Sequence, residues 1–328
     1  RIGGMQLFQS ESSDRSEKVL PRTASIVSGI FLCYCMLNVL CSILLHLFGM
    51  TAFDAINHSM AIISTGGFGT HDTSIMEFNA EIQWTTTLFM FLGGLPFVLY
   101  VQLVFRKNLS LFRDSQVRAF FCICCIPALL IALWVYDTTD MAMSDALRHS
   151  FFNVVSVLTT TGFSSVDYMQ WGSFPVMFFL FLTYLGSCTG STAGGIKTMR
   201  LQIIGLHGAA LLKKMVYPHG TFTISYKGQP LSPGIVQSVM VFLFIYVSAN
   251  VLLTLLLTLC GLDFETAISG AATAIANVGP GIGDIIGPAG NFSTLPDTAK
   301  ILLSIGMILG RLELMTVLVL FHPSFWRH

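Results

Sequence analysis

Charged residues avoid six stretches of this chain, at about 24–48, 84–105, 119–136, 173–216, 235–260 and 299–321. Each is near or above the ~18–20 residues a helix needs to cross a bilayer, and the fourth is broken in its middle. Three shorter, mildly apolar stretches lie between them, at about 52–64, 144–158 and 264–276. They carry helix-start signals: Asp54 in the first, Ser144-Asp145 in the second, Asp263 and Glu265 at the third. At ~1.5 Å of rise per residue they reach only partway through a ~30 Å hydrocarbon core. A glycine-rich turn follows each, with a glycine and, five residues on, an aspartate: Gly67 and Asp72, Gly162 and Asp167, Gly279 and Asp284. A half-crossing helix leading into extended glycine-rich backbone is a re-entrant loop, tolerated at membrane depth only where protein buries it or water lines it. The pattern predicts an all-α polytopic membrane protein made of repeated helix–loop–helix units. The units are expected at 23–107, 108–216 and 234–328, joined by cytoplasmic segments at 1–22 and 217–233.

Composition agrees with the pattern. Of 328 residues 53% are apolar and 10% charged, with a formal net charge of zero. No basic patch interleaved with aromatics speaks for nucleic acid. The basic residues Arg15, Lys18, Arg22, Arg106, Lys107, Arg113, Arg118, Lys213, Lys214, Lys227 and Arg327 fall on the side away from the glycine turns. Acids dominate the turn side, where Arg148 and Lys300 are the only basic residues. By the positive-inside rule the turns face outward, and an acidic outer mouth concentrates cations. Of eight cysteines, seven sit in or at the end of apolar runs, where a thiol acts as a small hydrophobe. Cys122-x-Cys124-Cys125 has no partner cluster with zinc-ligand spacing. An intramembrane enzyme would need a nucleophile and base, or a metal set, together inside the membrane. The acids here lie at the outer edge and the histidines are scattered.

Within the fourth apolar stretch, Gly186-Ser187-Cys188-Thr189-Gly190-Ser191-Thr192-Ala193-Gly194-Gly195 interrupts the helix with small residues. Ile196 separates Gly195 from Lys197, which excludes a phosphate-binding P-loop. Arg311 stands in the middle of the last apolar stretch, where a lone cation costs ~2.5–3.5 kcal/mol on insertion scales. It is either a positive barrier facing loop carbonyls or the partner of a buried acid such as Glu313. His46, His58, His71 and His149 read as interfacial packing or hydrogen bonding rather than proton coupling. Residues 217–230 read as a β-like hairpin.

Gly67-Phe68-x-Thr70-His71-Asp72, Thr159-Thr160-Thr161-Gly162-Phe163, Gly190-Ser191-Thr192-Ala193-Gly194-Gly195-Ile196-Lys197 and Asn277-Val278-Gly279-Pro280-Gly281 together resemble the Trk/Ktr/HKT family of potassium-translocating membrane proteins. The bacterial Trk potassium-uptake branch is the most similar. The resemblance covers essentially the whole chain. It implies four helix–pore-loop–helix repeats around one ion pathway, of which three are present here. Gly3-Gly4-Met5-Gln6 resembles the end of the first repeat, so that repeat is expected to be missing.

The resemblance further implies potassium as the substrate, with Rb⁺ or Na⁺ as possible passengers and no bound cofactor. Aligning the repeats gives the carbonyl donors of a selectivity filter as Thr65, Gly66 and Gly67; Thr160, Thr161 and Gly162; and Asn277, Val278 and Gly279. Rings of backbone carbonyls of this kind replace an ion's hydration shell. The break at 186–195 is implied to be an intramembrane gate, with Gly186, Gly190, Ser191, Gly194, Gly195, Lys197 and Arg311 as gate residues. A homodimer in the bacterial cytoplasmic (inner) membrane, set in lipid and facing a nucleotide-binding cytosolic ring, is implied too. H⁺- or Na⁺-coupled potassium symport is the alternative, and Glu313 is its one candidate intramembrane acid.

Overall fold

Residues 23–321 and 323–326 are described by the structure, a computed structural model. The segment 1–22, with Gly3-Gly4-Met5-Gln6 and three of the basic residues, lies outside the described residues, as does Arg327. Thirteen helices are described: α1 (Thr23–Leu47), α2 (Ala52–Ile63), α3 (Ala80–Gly93), α4 (Phe97–Arg106), α5 (Ser110–Arg113), α6 (Ser115–Thr138), α7 (Met143–Leu158), α8 (Ser173–Tyr184), α9 (Thr198–Val216), α10 (Pro233–Leu259), α11 (Phe264–Ala276), α12 (Asp297–Arg311) and α13 (Leu314–Leu320). Ile26–Leu47 of α1, α6 and α10 are each long and apolar enough to cross a membrane. Each packs against the short helix that follows it, so α1–α2, α6–α7 and α10–α11 are three equivalent pairs.

The short helices match the expected ranges to within a residue, because their ends are fixed by local chemistry. Thr51 caps α2, its hydroxyl accepting from Asp54 N at 3.1 Å. Asp263 caps α11, its carboxylate accepting from Thr266 N at 3.0 Å. The expected start of α7 needs correction. Its N-cap is Ala142, without a side-chain bond, and Asp145 lies inside the first turn, paired with Arg148 at 2.8 Å. Toward their C-termini these helices are buried on all sides. Phe152 to Leu158 of α7 are fully enclosed, as are Ser269 to Ala276 of α11, mostly small residues that let neighbouring backbones approach.

The Asp263 cap has a testable pH signature. Bonds from the Thr266 hydroxyl and backbone amide hold its carboxyl below the usual aspartate range. A depressed folded pKa contributes stability that is present above the unfolded value of ~3.9 and is lost as pH falls through the folded value. Asp263→Ala should therefore lower stability by roughly 0.5–1 kcal/mol at neutral pH, the low half of the range for a cap open to solvent. Thermal melts of the two proteins should converge as pH falls below about 3.9; a gap that persists into strong acid would refute the assignment.

Two apolar stretches expected to be single spans are bent. The second breaks between α3 and α4 at 91°, and the last between α12 and α13 at 101°. Pro96 explains the first, since it lacks an N–H and disfavours helix in the residue before it. At the second, Glu313 adopts a left-handed φ of 54°. Arg311 is thus the last residue of α12 rather than a mid-helix cation. The expected hairpin is present, with β1 (Ser225–Tyr226) antiparallel to β2 (Gln229–Pro230). Lys227 at its tip reaches Asp114 at 2.7 Å.

Candidate functional site

Each short helix runs out into its glycine turn in the same way. The last helical turn takes the first amides: Gly66 N donates to Ala61 O at 2.7 Å, Thr161 N to Ser156 O at 2.9 Å and Val278 N to Thr273 O at 3.0 Å. The acceptor stands five residues back in all three. Gly279 N adds a bond to the Thr273 hydroxyl at 2.7 Å. The carbonyls of Thr65, Gly66, Gly67, Thr160, Thr161, Gly162, Asn277, Val278 and Gly279 accept no hydrogen bond from the described residues. The residues run from buried (Thr65, Thr160, Thr161, Val278) through half-buried to exposed (Gly279), and their unpaired oxygens are free to meet water or a cation.

The backbone is wound to turn these carbonyls one way. Thr65 and Gly67 have φ of 50° and 67°, Thr160 and Gly162 of 54° and 85°, Asn277 and Gly279 of 60° and 115°. The residue between, Gly66, Thr161 or Val278, is not left-handed. Alternating the hand of successive residues turns successive peptide planes alike, so consecutive carbonyls share a side instead of alternating as in a strand. The turns also touch. A Cβ on Gly67 would overlap the Thr161 carbonyl oxygen, and one on Gly162 would overlap that of Val278. The Thr161 and Val278 carbonyl oxygens therefore lie against the backbone of the neighbouring turn. Gly279 differs: a Cβ there would meet only the Gly162 Cα, at 3.9 Å.

Directly beneath, the chain leaves helix between α8 and α9. Gly186 N donates to Ile196 O at 2.8 Å and Ile196 N to Tyr184 O at 3.1 Å, closing the neck of a loop. The Ser187 and Ser191 hydroxyls meet at 2.7 Å inside it. The loop reaches the ends of all three short helices. The Thr192 hydroxyl lies 3.0 Å from Ile63 O and 3.2 Å from Gly93 O. Gly194 N donates to the Thr160 hydroxyl at 2.7 Å. A Cβ on Gly194 would overlap the Ala276 carbonyl oxygen. The bend at 94–96 receives the loop's other side, with Cys188 N donating to Gly94 O at 3.1 Å and Phe97 N to Gly190 O at 3.0 Å. Gly195 folds against Leu185, and the Lys197 ammonium donates back to Ala193 O.

Arg311 joins the same place. Its Nη1 donates to Thr192 O at 3.0 Å. Glu313 does not pair with it. Glu313 binds Arg200 at 2.6 Å, and the Arg200 guanidinium stacks 3.9 Å over the Phe242 ring. The three sequence-predicted turns, the loop and Arg311 thus meet in one place. Sequence reasoning missed Thr192 as a contact residue, the Arg200–Glu313 pair, and Gln116, whose Oε1 accepts from Thr189 N at 3.1 Å. It also missed the receiving bend, although Gly93-Gly94-Leu95-Pro96 carried a signal for a break. The outer histidines make local contacts. His58 Nδ1 lies 2.9 Å from Asp54 O among His71, Phe78 and Phe163, and His149 Nδ1 lies 2.9 Å from the Ser165 hydroxyl.

A family model described as TrkH, cation transport protein, matches residues 1–328. The chain belongs to the TrkH family. Among curated relatives, the Trk system potassium uptake protein TrkI of Halomonas elongata is 44% identical over 329 residues, covering 100% of this chain and 67% of that protein. The Trk system potassium uptake protein TrkH of Escherichia coli K12 is 33% identical over 332 residues, covering 99% of this chain and 68% of that one. The crystal structure of the potassium transporter TrkH from Vibrio parahaemolyticus superposes with a TM-score of 0.88 at 33% identity, over 94% of this chain and 66% of that one. The chain spans about two thirds of the length of these TrkH-family relatives. It is a helical, multi-pass membrane protein of their fold.

Proposed function

We propose that this chain supplies walls of a pathway that carries potassium into the cell, selected by the filter carbonyls and gated by the loop at 186–195. One observation carries the reading: three turns with alternating hand, their amides returned to the short helices and their carbonyls left unpaired. Those carbonyls offer a dehydrated cation the oxygens it has lost. The C-terminal ends of α2, α7 and α11 add negative dipole ends just below. An inside-negative membrane supplies ~2.3 kcal/mol per 100 mV for each cation entering, so no chemical step is required. The names of the relatives, potassium uptake proteins and a potassium transporter, support the same ion.

Coupled symport would use Glu313 as its acid, but that carboxylate is engaged by Arg200 at 2.6 Å. The uncoupled, gated pathway is therefore the better reading. The family resemblance and the cytoplasmic hairpin at 225–230 support two partners, a second copy of the protein and a cytosolic nucleotide-binding ring. The bacterial relatives support a bacterial inner membrane, and the sidedness of charge supports a filter facing outward. The full-length gene, expressed in cells that lack potassium uptake, should restore growth at low potassium and drive Rb⁺ entry. Expression in the membrane without either effect would reject the proposal.

A further inference from the structure

The first residue of each filter turn is left-handed, yet the three are not alike. Asn277 tolerates this conformation, as asparagine commonly does. Its side-chain amide is tied within its own repeat, to Met307 O at 3.2 Å and Ile275 O at 3.4 Å. Thr65 and Thr160 are β-branched, the residue type for which a positive φ is an outlier. Both are buried, and both have hydroxyls that meet the gate loop. Gly194 N donates to Thr160 Oγ1 at 2.7 Å. The Thr65 hydroxyl lies 2.7 Å from Ser64 O and 3.2 Å from the Thr192 hydroxyl, which itself reaches Ile63 O and Gly93 O. The two walls with an unfavourable residue are the two that the loop holds. Among the described residues, Asn277 has no hydrogen bond to the loop.

We propose that the gate loop positions the filter as well as closing the pathway beneath it. The Gly194 amide on the Thr160 hydroxyl, and the Thr192 hydroxyl beside Thr65, keep the two threonines left-handed. Their carbonyls then stay on the same side as those that follow. A threonine released from its partner relaxes toward negative φ, and this turns the peptide plane at its carbonyl away from the ion. Selectivity in two walls therefore depends on where the loop is, whereas the Asn277 wall keeps its geometry without it. Thr160, Thr65 and Thr192 act as positioning residues. This inference rests on the ion-filter reading proposed above.

The test uses the full-length protein in vesicles, with Rb⁺ and Na⁺ entry measured separately. Thr160→Val keeps the shape and removes the acceptor, whereas Thr160→Ser keeps the acceptor. The Rb⁺/Na⁺ ratio should fall about three- to tenfold in Thr160→Val, the range set by one hydrogen bond. Thr160→Ser should bring it back toward the parent value. Thr192→Val, a change outside the filter, should lower the ratio through Thr65 and serves if Thr160→Val fails to fold. A change in the amount of Rb⁺ entering with an unchanged ratio in both valine variants would overturn the proposal and leave the loop a plug only. Thermal stabilisation of the purified protein by K⁺ over Na⁺ gives a second readout that needs no open pathway. The parent should show the preference and Thr160→Val should lose it; a preference kept in full by both valine variants would equally overturn the proposal. A parent protein with neither Rb⁺ entry nor a K⁺ preference would instead sink the ion-filter reading itself.

Discussion

Gly162→Ala should remove Rb⁺ uptake in cells that depend on this protein, by about tenfold or more, the factor that 1.4 kcal/mol of lost ion coordination makes. Two effects combine. A side chain at a φ of 85° costs ~1–2 kcal/mol for the left-handed conformation alone. The added methyl would also overlap the Val278 carbonyl oxygen, a filter donor of the next wall, so that oxygen must move. Gly67→Ala should act alike through the Thr161 carbonyl. Gly279→Ala should be milder, because nothing described but the Gly162 Cα stands within 4 Å and only the φ of 115° opposes it. Uptake rates normalised to protein in the membrane fraction give the ranking. Equal loss at all three positions would argue against side-by-side packing of the turns, and unaltered uptake and Rb⁺/Na⁺ ratio in Gly162→Ala would refute the filter.

Arg311→Ala is expected to do the opposite and raise Rb⁺ entry. The Arg311 guanidinium donates to the loop carbonyl at Thr192, which sets its positive charge against the loop proposed as the gate. Its removal weakens the hold on the loop and the electrostatic barrier together. Arg311 is exposed, so the hydrogen bond is taken at about 1 kcal/mol, which gives roughly fivefold more flux. Arg311→Lys keeps the charge but not the flat, forked donor, and should fall between the two. Initial rates of Rb⁺ uptake at equal expression measure it. Unchanged flux in Arg311→Ala would reduce the residue to a structural role.

The sequence made the three short helices legible because each has polar start signals and a glycine turn at its end, with Thr51 and Asp263 performing the capping. The three glycine turns were legible as a repeat, since they share backbone geometry while their side chains differ. The bends were harder to see. Residues 84–105 and 299–321 are apolar throughout, and hydrophobicity reports membrane depth rather than direction. Pro96 and the left-handed Glu313 decide the direction locally. The pairing of Glu313 with Arg200, 113 residues away, was out of reach because it depends on how α9 lies against the α12–α13 bend. The contacts of Thr192 with Ile63, Gly93 and Thr65 were hidden for the same reason.

Each filter turn hangs by its amides from its own short helix, and Ser164, just past Gly162, ties its wall to Ser74 and Ile75 on one side and to Pro288 on the other. In a pore built from copies of one subunit, a single codon change strikes every wall together. Here the walls are consecutive stretches of one gene product, so inherited change reaches one at a time. Thr65, Thr160 and Asn277 already differ at equivalent positions, and a substitution in one wall should yield a milder defect than the same change made in every wall of a symmetric pore.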